Sequence, residues 1–109
     1  MKHDYDFDHE GLDCYRLARE VARWAARTVF PSHRRHLRSQ LLRACDSVAL
    51  NIAEGRSQTG DSRRNHYAIA MGSAAEACAV LDLIDFPDGP EHQDDLRRVG
   101  AMLWKMRRR

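Results

Sequence analysis

Between Tyr67 and Ile84 the chain carries only three polar functional side chains, Ser73, Glu76 and Asp82; the rest are small or apolar. At helical period such a segment is apolar on every side, and a helix apolar on every side has to be covered on every side. A chain of 109 residues forms one domain, residues 1–109, with a single core, and buries roughly two-thirds of its unfolded surface. One small core covers such a helix with difficulty, so the segment asks for a subunit interface. The three polar residues keep it short of the ~18 apolar residues of a membrane span. With 43% hydrophobic and 31% charged residues the chain is not of the disordered class.

Turn signals cut the chain into four segments of helical period, at about 10–29, 36–56, 62–85 and 91–107. Pro31-Ser32, the stretch Gly55–Gly60 and Pro87-Asp88-Gly89-Pro90 separate them. None alternates with period two, so strands are not expected. Asp61 or Ser62 is placed to cap the third helix, and Pro90 suits the first turn of the fourth. Short connections between four helices predict an all-α, antiparallel up-down four-helix bundle.

In the first segment Cys14, Leu17, Ala18, Val21, Ala25 and Val29 share a core face. Opposite them Arg16, Arg19, Arg23 and Arg27 occupy an arc of about 80°. Glu20 stands at its edge, in reach of Arg16 or Arg23. The second segment has a core face of Leu37, Leu41, Ala44, Cys45, Val48 and Ile52. Leu42, Ala49 and Ala53 form a second apolar strip, Leu50 lies beyond it, and Gln40, Ser47, Asn51 and Glu54 form a polar one. The second apolar strip, like the third helix, asks for a further packing partner. The fourth helix is a simple amphipath through Leu96, Val99, Leu103 and Met106.

The net charge of +2 conceals segregation. Residues 1–13 carry −4, residues 14–75 carry +7, residues 76–96 carry −7 and residues 97–109 carry +6. Sixteen of the 18 bases are arginine, whose planar fork matches phosphate oxygens. Arg16, Arg19, Arg23 and Arg27, with Arg34, Arg35 and Arg38, are therefore the candidate nucleic-acid contacts, RNA before DNA. Their alternatives are a solvated face, or a partner for the −7 segment of a neighbouring subunit. Arg107-Arg108-Arg109 reads as a frayed tail able to add nonspecific affinity.

Two stretches carry a family likeness. They are Gln40-Leu41-Leu42-Arg43-Ala44-Cys45-Asp46-Ser47-Val48-Ala49-Leu50-Asn51-Ile52-Ala53-Glu54-Gly55 and Ile69-Ala70-Met71-Gly72-Ser73-Ala74-Ala75-Glu76. Together they resemble the four-helix bundle protein family, also called the 23S rRNA-intervening sequence protein family. Its pattern runs roughly Q-L-R-R-A-A-x-S-I-P-x-N-I-A-E-G and then I-A-x-G-S-x-x-E. Phe7, Leu12, Tyr15, Met102 and Leu103 also agree, so the likeness spans most of the chain. Leu42 stands where the family usually has Arg, Ala49 where it has Pro, and Ala74 where it has Leu. The resemblance implies a homo-oligomer, commonly a pentamer, of a gene type found within insertions in large-subunit ribosomal RNA genes. A similar relative is the accessory protein of diversity-generating retroelements, a basic pentamer that binds nucleic acid and a reverse transcriptase. A reverse transcriptase is accordingly a candidate partner, and a protein-interaction adaptor the alternative function.

The other chemistry is sparse. Ser47, Asn51 and Glu54 could meet Ser73 and Glu76 between the second and third helices, as a structural polar network or as a site with two carboxylates. Di-metal bundles use Glu-x-x-His pairs, and no such pair occurs. His33-Arg34-Arg35-His36 reads as a basic loop, solvated or in contact with phosphate, rather than a cation site. P-loop, dinucleotide, zincin and nucleophile-elbow motifs are absent. The expectation is no enzyme, no cofactor and no metal. Cys14, Cys45 and Cys78 lie too far apart in sequence for a CxxC pair and read as buried thiols in a reducing compartment. Met1-Lys2-His3-Asp4 opens no apolar leader, so a cytoplasmic protein without membrane association is expected.

Overall fold

The computed structural model describes residues 5–107, so Met1–Asp4 and the last two residues of the basic tail lie outside the described residues. Four helices form: α1 (Asp13–Arg27), α2 (Arg35–Ser57), α3 (Gly60–Asp82) and α4 (Gly89–Arg107). Short 3-10 turns at Asp8–Gly11 and Ser32–Arg34 precede α1 and α2, and no strand occurs among the described residues. Each helix packs on its neighbours in sequence, and α1 closes the ring on α4. The backbones of the diagonal pairs, α1 with α3 and α2 with α4, do not approach closely, and their side chains meet only in the shared core. The all-α, up-down four-helix bundle expected from the periodicity is the observed architecture. No helix among the described residues is long and apolar enough to cross a membrane.

Each helix buries the stripe its period dictates. Val21 and Ala25 of α1, Leu41, Val48 and Ile52 of α2, Tyr67, Ala70 and Ala77 of α3, and Val99 and Leu103 of α4 are all inaccessible or nearly so. The first helix stops two residues short of its sequence pattern. Thr28 is extended, its hydroxyl donates to the Trp24 carbonyl at 2.9 Å, and Pro31 biases the residue before it away from helix. Val29, assigned to the core face by the wheel, therefore leaves the helix and is 87% exposed. Phe30 turns inward instead and meets Phe86 edge-on. The indole of Trp24 closes that end: its N–H donates to Asp88 at 2.8 Å, and its face stacks on the His92 ring at 4.1 Å. The third helix starts earlier than its cap signals suggest. Thr59 precedes it without a side-chain cap, and Asp61 sits in the first turn, paired with Arg64.

The α2–α3 turn rests on two glycines. Gly60 has a φ of +57°, the left-handed region that favours glycine. Gly55 lies under the Tyr67 ring, where an added Cβ would stand 2.8 Å from two ring carbons. Arg63 reaches back from the first turn of α3 and donates to the Gly55 and Arg56 carbonyls at 3.2 and 3.0 Å, satisfying the end of α2.

The two surplus apolar surfaces have different fates. On α2, Leu42 and Ala49 pack against the core, and Ala53 lines a pocket with Tyr5, Phe7 and His9. The second partner of that strip is the chain's own N-terminal segment, whose 3-10 turn packs on α2. Leu50 stays exposed. With Ala49 in place of the proline usual in the resembled family, α2 runs unbroken for 23 residues. On α3, Ile69, Gly72, Ala75 and Ala79, with Leu83 just past its end, form an exposed arc in which Glu76 is the one charged side chain. The single chain thus covers α3 on its α2 and α4 sides and leaves its outer side open.

Gly55→Ala is expected to lower the unfolding free energy by about 1–2 kcal/mol in urea titrations, overpacking against Tyr67 outweighing the gain in helix propensity. Gly100→Ala, whose Cβ meets nothing within 4 Å, is expected to raise it by about 0.5–1 kcal/mol. Equal effects at the two positions would contradict the packing described.

Candidate nucleic-acid interface

The arginines of α1 stand where the core stripe puts them, on the opposite face. Arg16, Arg23 and Arg27 are exposed and Arg19 is partly so. Glu20 sits among them with its carboxylate 3.4 Å from Arg19 Nε and 4.0 Å from Arg23 Nη1. Arg16 is not its partner: Arg16 Nε donates to the Glu10 carbonyl at 3.2 Å. One carboxylate shared by two guanidinium groups leaves the face positive. Arg27, Arg35 and Arg38 make no ion pair among the described residues and are exposed. By helical period Arg35 and Arg38 fall on the same flank of α2 as Leu42, Ala49 and Ala53, the flank turned toward α1. Arg34 is spent differently. It is half-buried and donates to the Leu83 carbonyl at 2.7 Å, tying the α1–α2 connection to the end of α3. His33 and His36 beside it are exposed.

The acidic segment is largely engaged within its own end of the bundle. Asp88 accepts from Trp24, and Asp82 accepts from the amide of buried Gln93 at 2.7 Å. Asp94 and Asp95 pair with Arg97 and Arg98 one turn on.

The polar strip of α2 does meet α3. The hydroxyls of Ser47 and Ser73 lie 2.8 Å apart, and Asn51 Nδ2 donates to the Ser47 carbonyl at 2.9 Å and to its hydroxyl at 3.1 Å. That fixes the amide orientation, so Asn51 Oδ1 accepts from His66 Nδ1 at 3.0 Å. Glu54 stands 3.8 Å from the same nitrogen. Glu76, expected beside Ser73, is exposed and joins nothing among the described residues, because one further turn of α3 carries it round toward solvent. His66 takes the place expected of it. It lies two helical turns before Ser73, on the same face, and that spacing is the signal that would have found it. The arrangement has one carboxylate rather than two, and among the described residues no three His, Cys, Asp or Glu side chains converge.

A protein-family model described as 23S rRNA-intervening sequence protein matches residues 10–88. The chain belongs to the 23S rRNA-intervening sequence protein family. The matched stretch contains the seven arginines of the basic face and every residue of the Ser47–Asn51–His66–Ser73 network. A comparison with curated proteins gives no match.

In this member of the 23S rRNA-intervening sequence protein family burial holds two of the three thiols, Cys14 and Cys45, in the neutral form. Cys45, inaccessible in the core, is pushed up to about 12 by desolvation, with Asp46 adding to the effect. Cys14 is raised chiefly by the same desolvation, and its thiol points at Met106 Sδ 3.9 Å away. Burial likewise raises Tyr67, against the opposing pull of Arg63 and Arg56. Cys78 alone is partly accessible.

All three raised groups hold their protons longer when folded than when unfolded. Stability is therefore expected to fall as pH rises above about 9, where an unfolded thiol ionises and folded Cys45 does not. Cys45→Ala should flatten that fall while costing about 1 kcal/mol near neutrality for the lost sulfur. In the same vein, a thiol reagent at pH 8 should modify one cysteine per native chain, Cys78, and all three after denaturation. Rapid native labelling of Cys45 would refute the burial described.

Proposed function

We propose that the chain is a non-enzymatic, homo-oligomeric scaffold of the cytoplasm that binds nucleic acid, RNA before DNA, through the arginine face of α1. The observation that carries this reading is the exposed row Arg16, Arg19, Arg23 and Arg27, joined by Arg35 and Arg38, against the single carboxylate of Glu20. Planar guanidinium groups on a solvent-facing helix suit a phosphate backbone, and each contact releases counterions. Self-association is supported by the exposed α3 arc of Ile69, Gly72, Ala75, Ala79 and Leu83, and the family resemblance favours a pentamer. Because α1 and α3 are diagonal, subunits joined through α3 keep their arginines outward. Repetition of the stripe then multiplies the field that a polyanion meets.

A second reading, an adaptor such as an accessory subunit of a reverse transcriptase, is favoured by an apolar groove between α3 and α4. It has a volume of about 360 Å³ and is lined by Met71, Ala75, Cys78, Ala79, Leu96 and Gly100.

Mobility-shift titrations against salt separate the two. Backbone binding predicts that log affinity falls linearly with log salt, with a slope of about −3 if four or five phosphates of a single strand are engaged. Arg19→Glu with Arg23→Glu should cut affinity by at least about tenfold at low salt and flatten the slope. The fold should survive that change, since exposed ion pairs contribute little to stability. A complete lack of shift with RNA and DNA at low salt would remove the nucleic-acid reading. A monomer in light scattering would remove the oligomer.

A further inference from the structure

The end of the bundle where α2 stops and α3 begins holds a pocket that the α1 face does not use. Its volume is about 120 Å³, and its walls are Arg56, Arg63, Tyr67 and, from the end of α4, Met106. Three features mark it as more than a surface dent. First, Tyr67 is 1% exposed, and its hydroxyl is buried without a hydrogen-bond partner. The Arg56 guanidinium stands beside that hydroxyl and favours its ionised form, but outside hydrogen-bond geometry. Buried polar groups in folded proteins are almost always satisfied, so an orphan hydroxyl on a side chain that lines a pocket points to a missing partner.

Second, the charges around it are unbalanced. Neither Arg56 nor Arg63 makes an ion pair among the described residues, while five arginine–carboxylate pairs form elsewhere among them. Third, Arg63 is held in place. Its Nε and Nη2 are tied to the Gly55 and Arg56 carbonyls, which leaves three of its five N–H donors for another acceptor. Everything polar in the side chains of this pocket donates. The Tyr67 ring is pinned in turn by its seat on Gly55, so the hydroxyl is fixed before anything binds.

We infer that this pocket is a phosphate site, with Arg56 and Arg63 supplying the charge and the Tyr67 hydroxyl donating to a phosphoryl oxygen. Three separate donor groups from two helices suit the several oxygens of a tetrahedral oxyanion better than the two of a carboxylate. The pocket has room for a phosphoryl group and not for a nucleoside. The phosphate is either free phosphate or the terminal monoester of a nucleic-acid strand; both present the same dianion. The site stands independently of the α1 reading.

The test is calorimetric titration of the full-length chain with inorganic phosphate at constant ionic strength, chloride being the balancing anion. Saturable binding of one phosphate per chain is expected. Arg56→Gln should weaken it by about tenfold or more, and Tyr67→Phe by about fivefold. Tyr67→Phe also guards against a trivial loss of fold. Removing an orphan hydroxyl should leave the phosphate-free melting temperature unchanged or higher, while shrinking the upward shift that phosphate causes in the parent. No saturable binding, or the same affinity in the parent and both variants, would overturn the site. Matched 5′-phosphorylated and 5′-hydroxyl oligonucleotides then identify the source. A preference for the phosphorylated strand that Arg56→Gln abolishes assigns the site to strand ends. Binding of inorganic phosphate without such a preference assigns it to the free ion. Failure of the α1 reading looks different, because both oligonucleotides would then lose their salt-dependent shift while phosphate binding persists.

Discussion

The close seating of the Tyr67 ring on the backbone of Gly55 is the contact from which the bundle is organised. It requires the α2 position to have no Cβ, and it sets how near α2 and α3 lie at the turn. From there the antiparallel register follows. Asn51 finds His66, Ser47 finds Ser73, and Arg63 comes within reach of the last carbonyls of α2. A half-buried line of hydrogen bonds between two otherwise apolar helices specifies one sliding position among several that the alanines alone would tolerate. At the far end the corresponding lock is the indole of Trp24, held by Asp88 and His92 of the α3–α4 connection and the first turns of α4. The bundle is thus fastened at both ends by aromatic rings and filled in between by small aliphatic side chains.

Charge is distributed on this frame by function of position rather than by total. Most acids of the segment from Asp82 to Asp95 have partners at their own end of the bundle, including Trp24, Gln93, Arg97 and Arg98. The four arginines of α1 share a single carboxylate, that of Glu20. Their positive field is therefore not cancelled inside the subunit, and a net charge of +2 gives no measure of what a polyanion approaching α1 encounters.

Much of this was legible in the sequence, for a physical reason. Four segments of helical period leave a pattern that no strand can imitate, and the main apolar stripes of α1, α2 and α4 name the core directly. Legibility failed where a side chain acts outside the period. Val29 has the right angle but follows the last helical residue, so angle alone misplaced it. Trp24 and Phe30 depend on partners in a loop some sixty residues away, which no local pattern reveals. Glu76 was grouped with Ser73 by proximity in sequence, although the helix turns it outward, while His66 shares the face and was passed over. The second strip of α2 asks, by its period, for a neighbouring subunit, and the structure covers it from within the chain instead. That its cover is the chain's own N-terminal turn depends on where a nonhelical segment runs, which periodicity does not describe.

The ring order of the helices has a further consequence for how such a protein changes over time. α1 and α3 meet only through the shared core and stand diagonally across it, so the outward residues of one are several side chains removed from those of the other. Substitutions on the two outer faces should combine nearly additively, as they do for sites without common neighbours. A lineage built on this plan is free to change its charged outer face while keeping its apolar one, or the reverse. In that sense the bundle is a divider: two surfaces with separate histories, kept apart by α2 and α4.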